Sequence, residues 1–162
     1  MRIGFTVRAS FATTIERLFD FTKDAANFVS FTGFGIVPGI KEASYITPGP
    51  PALGARRRIV KTDGTEHIEE IIVFEQPARH SSRITGLKPP FSWLVTSGED
   101  DWRFAAERGG TAVERDFSFE LTTPLAWIAA CESFGSHVFR RSAVASSRGR
   151  RIGESLRARG SS

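Results

Sequence analysis

Residues 54–122 hold five strand-like runs joined by turns too short to contain a crossover, and this limits the possible folds more than any other feature of the chain. The runs are 55–62, 65–75, 79–86, 92–107 with a bend near Gly98, and 111–122. Asp63-Gly64, Pro77 and Gly109-Gly110 mark tight turns, and Lys88-Pro89-Pro90 marks a longer one. Parallel neighbours need a connection of a dozen or more residues, so these strands must form an antiparallel meander. Residues 42–47 add a strand ahead of the Pro48-Gly49-Pro50-Pro51 turn. At the N-terminus Ile3, Phe5, Val7 and Ala9 alternate with Arg2, Gly4, Thr6, Arg8 and Ser10, the pattern of a strand with one buried face. Seven antiparallel strands are expected.

Helices fill the remainder. Thr13-Thr14-Ile15-Glu16 fits a capping box, with the Thr13 hydroxyl accepting from the Glu16 amide, and Ile15, Leu18 and Phe19 supply an apolar face. Thr22 is placed to cap a second short helix ending near Val29. The glycines of 33–39 predict a loop, and Phe28, Phe31 and Phe34 beside it belong to the core or to a lid. That loop is not a dinucleotide-binding turn, which needs a strand before it and a helix after it. Residues 123–159 predict one long helix, on which Trp127, Ile128, Cys131, Phe134, Gly135, Val138, Ser142, Ala145, Gly149, Ile152 and Leu156 share a side. Its small residues either roof a cavity or permit close packing, and charges on the opposing sheet favour a cavity.

A chain of 162 residues suits a single domain. No run approaches the ~20 apolar residues of a membrane span, and residues 2–8 lack the apolar core of a secretory signal, so a cytoplasmic location is expected. The single Cys131 excludes an intrachain disulfide and a multi-cysteine metal site. His67, His80 and His137 belong to no metal-ligand or Ser/His/Asp pattern and are expected at the surface or rim; no metal or cofactor is expected. The last forty residues carry seven arginines and two glutamates, a basic end from about 148 that suits a solvated helix terminus. No aromatic residues interleave with those arginines, so a nucleic-acid partner is not expected. Monomer and homodimer both remain open.

The Asp63-Gly64 turn yields a register. As a two-residue type I′ hairpin it pairs Thr62 with Thr65, Val60 with His67, Ile59 with Ile68, Arg58 with Glu69 and Arg57 with Glu70. Ile59, Ile68, Ile72 and Phe74 then face inward with Arg57 and Glu70, while Arg58, Glu69 and His67 face outward. On the last strand Val113, Phe117, Phe119 and Leu121 share a face with Arg115. A buried arginine needs a carboxylate, a ligand anion or water. The pocket candidates are therefore Arg57, Glu70, Trp102, Phe104, Arg115 and Phe117 on the sheet, with Phe134, Gly135, Val138 and Ser142 on the helix.

The order strand, helix pair, six-strand meander, long helix resembles the helix-grip fold of the START and birch-pollen-allergen superfamily, over nearly the whole chain. It is most similar to the polyketide cyclase/dehydrase and lipid-transport branch. The resemblance is carried by Ala12-Thr13-Thr14-Ile15-Glu16-Arg17-Leu18-Phe19, Gly54-Ala55-Arg56-Arg57-Arg58, Asp63-Gly64-Thr65 to Glu69-Glu70-Ile71 with Pro77, and Trp102-Arg103-Phe104 followed by Gly109-Gly110-Thr111-Ala112-Val113. It implies an α+β fold in which a curved seven-stranded antiparallel sheet grips the C-terminal helix, with a pocket between them for lipids, polyketides or other hydrophobic molecules. It implies no catalytic residue. A binding protein is expected first, a cyclase or dehydratase using a pocket acid or base second, and an interaction protein docking through its basic end third.

Overall fold

The structure is a computed structural model that describes residues 1–34, 37–89 and 91–123. The expected long helix, with Phe134, Gly135, Val138 and Ser142 and the basic end from 148, lies outside the described residues.

Strand β1 (Arg2–Phe11) leads into helix α1 (Ile15–Lys23) and a 3-10 helix (Ala25–Ser30). A two-residue hairpin follows, β2 (Gly33–Phe34) with β3 (Val37–Pro38), where the sequence predicted an open loop. Then come β4 (Ile40–Tyr45), β5 (Arg56–Lys61), β6 (Glu66–Glu75), β7 (Arg79–Thr85), a 3-10 turn (Phe91–Trp93), β8 (Val95–Glu107) and β9 (Gly110–Leu121). Seven strands form one antiparallel sheet in the order β1-β9-β8-β7-β6-β5-β4. The meander is as expected, and β1 closes it beside the last strand. A bend was expected at Gly98, but β8 pairs regularly there, Gly98 with Phe119, and its irregularity lies between Val95 and Ser97.

The caps fall one or two residues from their expected places. Thr14, not Thr13, caps α1 and accepts from the Arg17 amide at 3.4 Å. Asp24, not Thr22, caps the 3-10 helix, its carboxylate accepting from the Ala26 amide at 3.0 Å. Both have extended backbone, which lets a short side-chain oxygen turn back onto the first free amides. Leu18 and Phe19 of α1 are buried against Phe104 and Val113, with Phe11, Ile15, Phe74 and Trp102 packed around them. The sheet face beneath α1 is therefore the inner one. A second cluster, Val95 and Leu121 with Ile3, Leu87, Phe91, Leu94 and Phe119, packs where the Phe91–Trp93 turn meets the sheet.

The β5–β6 hairpin overturns the expected register. Gly64 donates its amide to the Lys61 carbonyl at 3.0 Å and Lys61 donates to the Thr65 carbonyl at 2.8 Å, so the loop is Thr62-Asp63-Gly64, three residues rather than two. Gly64 takes φ 82°, the left-handed position of a three-residue loop with a bulge. The Asp63 carboxylate locks it by accepting from the Thr65 amide (2.9 Å) and hydroxyl (2.7 Å). Arg57 consequently pairs with Glu69 and Ile59 with His67. A one-residue slip exchanges the faces of a strand. Glu69 and His67, expected outside, are buried on the inner face, and Glu70 shares the other face with its cross-strand neighbours Arg56 and Arg83.

Candidate functional site

Between the two apolar clusters the inner face carries a belt of charged and polar side chains. Arg57 is 2% exposed and donates from Nε to Glu69 Oε2 at 2.6 Å, with Nη2 at 2.5 Å from the same oxygen. Its guanidinium lies 4.0 Å from the centre of the Phe28 ring and reaches the Tyr45 hydroxyl at 3.4 Å. Tyr45 in turn donates to the Lys23 carbonyl at 2.9 Å, tying this edge of the sheet to the end of α1. Burial alone would raise the Glu69 carboxyl, but the Arg57 charge and the His67 hydrogen bond outweigh it and hold Glu69 at about 2. For Arg57, burial opposes the charge and the Glu69 and Tyr45 contacts more than restore it, leaving the guanidinium firmly protonated.

The second half of the belt is Arg115 on β9. It meets Asp100 of β8 through two near-parallel hydrogen bonds, Nε to Oδ1 at 2.8 Å and Nη2 to Oδ2 at 2.7 Å. Its guanidinium is sandwiched by the Trp102 and Phe117 rings, 4.1 and 4.0 Å from their centroids. A planar cation that is bidentate in one direction and stacked in two others has a fixed orientation. Asp100 is buried, and Ser82, its partner across β7 and β8, buries a hydroxyl that has no hydrogen-bond partner among the described residues.

His80 separates the two halves. Its ring stacks on Trp102 at 5.8 Å and meets Phe19 edge-on at 5.4 Å. Burial, reinforced by the Arg57 and Arg115 charges, pushes it down to about 3, so it is a neutral imidazole near pH 7. Thr22 donates its hydroxyl to the Phe19 carbonyl at 2.9 Å, so at its 3.0 Å contact with His80 Nε2 it accepts and Nε2 carries the hydrogen. His80 was expected at the rim; the pairing of β7 between β6 and β8 puts it in the core instead.

The sequence-derived pocket residues thus divide. Arg57, Trp102, Phe104, Arg115 and Phe117 share the inner face, with Phe104 inside the α1 cluster; Glu70 is on the opposite face, and its expected place is taken by Glu69. Glu69, His67, Tyr45, Asp100 and Ser82 were missed. The signal that finds Glu69 and His67 is the three-residue alternative for the Asp63-Gly64 turn. Asp100 needs the β8–β9 register carried from the Gly109-Gly110 turn back to its pairing with Phe117.

The opposite face carries charge of a different kind. Arg2 reaches Glu99 at 2.8 Å, Arg79 reaches Asp101 at 2.9 Å, and Arg103 bridges Asp101, Glu114 and Asp116. Arg2, Arg79, Glu99, Asp101, Arg103 and Asp116 border an open cavity of about 370 Å³. Its arginines are already matched by carboxylates, and most are half-exposed, so it is a weaker ligand site than the belt.

A meander closed by its first strand, with α1 across one end, is the sheet of the helix-grip fold. Many solved structures share it, among them the following three. Norcoclaurine synthase from Thalictrum flavum superposes with a TM-score of 0.62 at 9% identity, covering 95% of this chain and 88% of that one. Protein Ms6760 from Mycobacterium smegmatis gives 0.55 at 18% identity, over 96% and 91%. The di-domain aromatase/cyclase BexL of the BE-7585A biosynthetic pathway gives 0.55 at 21% identity, over 96% of this chain and 48% of that one. Such likenesses define the fold and no more. The chain belongs to the polyketide cyclase / dehydrase and lipid transport family, whose model matches residues 2–148. No curated protein matches the chain. None of the helices among the described residues is long and apolar enough to cross a membrane.

Proposed function

We propose that this protein binds a hydrophobic small molecule, a lipid or polyketide, against the inner face of the sheet. The observation that carries this reading is the belt itself: two arginine–carboxylate pairs held against aromatic rings between two apolar clusters. Ligand sites combine apolar walls with a few fixed polar groups that set orientation, and this face has both. Membership of a family described by cyclase, dehydrase and lipid-transport roles supports the same reading. The single cysteine suits work in the reducing cytoplasm. Native mass spectrometry of the protein purified from its own host tests the proposal. A co-purifying apolar molecule is expected. Finding none, together with no binding across a panel of fatty acids, sterols and aromatic polyketides, overturns it.

A cyclase or dehydratase activity is the second reading. It is favoured by a buried histidine–carboxylate pair on the inner face, His67 with Glu69 at 3.0 Å, since an oriented imidazole is the commonest proton carrier in acid–base catalysis. Turnover of candidate polyketides by the full chain separates it from carriage alone.

A further inference from the structure

We propose that His67, held by Glu69 and flanked by Lys61, is a proton-accepting site for the hydroxyl group of an aromatic or enolic ligand. The inference rests on the ligand-binding reading above and adds the chemical class of the bound group.

The argument begins with hydrogens. Arg57 occupies Glu69 Oε2, which leaves Oε1 to face His67 Nε2 at 3.0 Å. A carboxylate paired to a guanidinium has no proton to give, so Nε2 donates. A neutral imidazole has one N–H, and Nε2 uses it. Nδ1 is then a lone pair. It is buried and has no hydrogen-bond partner among the described residues. Base, orienting carboxylate and a third group locking the carboxylate stand in the order used for proton transfer elsewhere. Here the ring is reversed, with Nδ1 as the working nitrogen.

Lys61 supplies the complement. Lys61 bonds across the hairpin to Thr65, so on the inner face it is diagonal to His67, which pairs with Ile59. It is half-buried, its ammonium lies 5.7 Å from the centre of the Phe91 ring, and it makes no ion pair among the described residues. Burial lowers its pKa, partly offset by Asp63 and Glu69. Among the described residues, the other charged or titratable groups on this part of the face are Arg57, Glu69 and Tyr45, all engaged with one another. A lone pair and, diagonal to it on the same face, a cation with no ion pair among the described residues match an O–H group: the oxygen turns to Lys61 and the hydrogen to Nδ1. A carboxylate would satisfy Lys61 but meet the lone pair, and an ether or hydrocarbon would satisfy neither. Proton transfer from the bound hydroxyl breaks only its O–H bond. It leaves an imidazolium on Glu69 and an oxyanion beside Lys61, returns by the same path, and needs no other reactant.

Titration of the full chain with 2-naphthol and with its O-methyl ether, 2-methoxynaphthalene, tests the assignment. The naphthol is expected to bind about tenfold more tightly, the scale of one buried acceptor gaining its donor. His67→Leu removes the lone pair and leaves Glu69 paired with Arg57. It is expected to reduce naphthol affinity to that of the ether while changing ether affinity less than about twofold. Equal binding of the two compounds, or a preference that survives His67→Leu, overturns the proposal. If neither compound binds, the ligand-binding reading fails for this aromatic class, and the histidine is judged on the unmodified protein by its ring ¹⁵N shifts. Protonated Nε2 with bare Nδ1 supports the site, and an Nδ1–H tautomer overturns it.

Discussion

Arg115 and Asp100 are joined by two hydrogen bonds, 2.8 and 2.7 Å long, across the middle of the inner face, although neither is the other's direct partner in the β8–β9 register. The contact is diagonal. Trp102 faces Arg115 and Phe117 faces Asp100, so each charge leans past an aromatic ring to reach its counterpart.

Removing one partner of this pair strands the other. Arg115→Met leaves Asp100, 4% exposed, without its cation, and a loss of about 3 kcal/mol is expected. Pairing it with Asp100→Leu should recover most of that loss, because the stranded charge is gone. Urea unfolding of the two single variants and the double variant measures the coupling.

Acid should destabilise the protein in two stages, and His80 governs the first. Its ordinary value is 6.5 and the fold lowers it to about 3, so between these values the unfolded chain binds one more proton than the native one. Its contribution is complete above pH 6.5 and falls as pH drops toward 3, by about 1.4 kcal/mol per unit. In His80→Phe, unfolding free energy measured from pH 7.5 to 4.5 should lose this slope.

Glu69 governs the second stage. The fold lowers it from 4.5 to about 2, so its contribution is present above pH 4.5 and disappears as pH falls through about 2. The span corresponds to about 3 kcal/mol. Glu69→Gln should be less stable at pH 7, because Arg57 is left unpaired, and its stability should be flatter between pH 4.5 and 2. Denaturant titrations at half-unit pH steps report both effects.

Phe19 is fully buried and meets Phe74, His80 and Phe104 edge-on. Phe19→Ala should cost about 4 kcal/mol, since lost transfer energy and an unfilled cavity add. A Phe19→Leu variant should retain more than half of the stability difference. Thermal unfolding of both variants tests the ordering.

Gly64 has φ 82° and nothing within 4 Å of where a Cβ would be, so a side chain there is opposed by backbone conformation alone. Gly64→Ala should cost about 1 kcal/mol, and Gly64→Asn less, because asparagine tolerates the left-handed region better. Chemical denaturation of the two variants makes the comparison.

That one glycine also explains how far the sequence could be read. Alternation placed Ile3, Phe5, Val113, Arg115 and Phe117 on the inner face, because a strand with one buried face announces itself locally. Strand β6 has no such signal: Ile68, Ile72 and Phe74 on one set of positions compete with Ile71 and Val73 on the other. Its facing was decided by the length of the preceding turn, and Asp-Gly suits two-residue and three-residue loops alike. Phe74 nevertheless faces inward as expected. The slip at the turn moved β6 by one residue, and the bulge between Ile71 and Val73 moved it back. The diagonal Arg115–Asp100 pair and the core position of His80 depend on registers carried several residues beyond the turns, which alternation along a single strand does not encode.

The pairing of β1 with β9 has a kinetic meaning. Every other neighbour in the sheet is joined by a hairpin, whereas Arg8 and Glu114 meet across 106 residues of chain. Closing so long a loop is entropically expensive, so it becomes favourable once a preformed edge awaits the strand. Docking of β1 should therefore come late in folding, and it replaces the bare rim of β9 with that of β1, whose Arg2 and Arg8 discourage pairing with other chains.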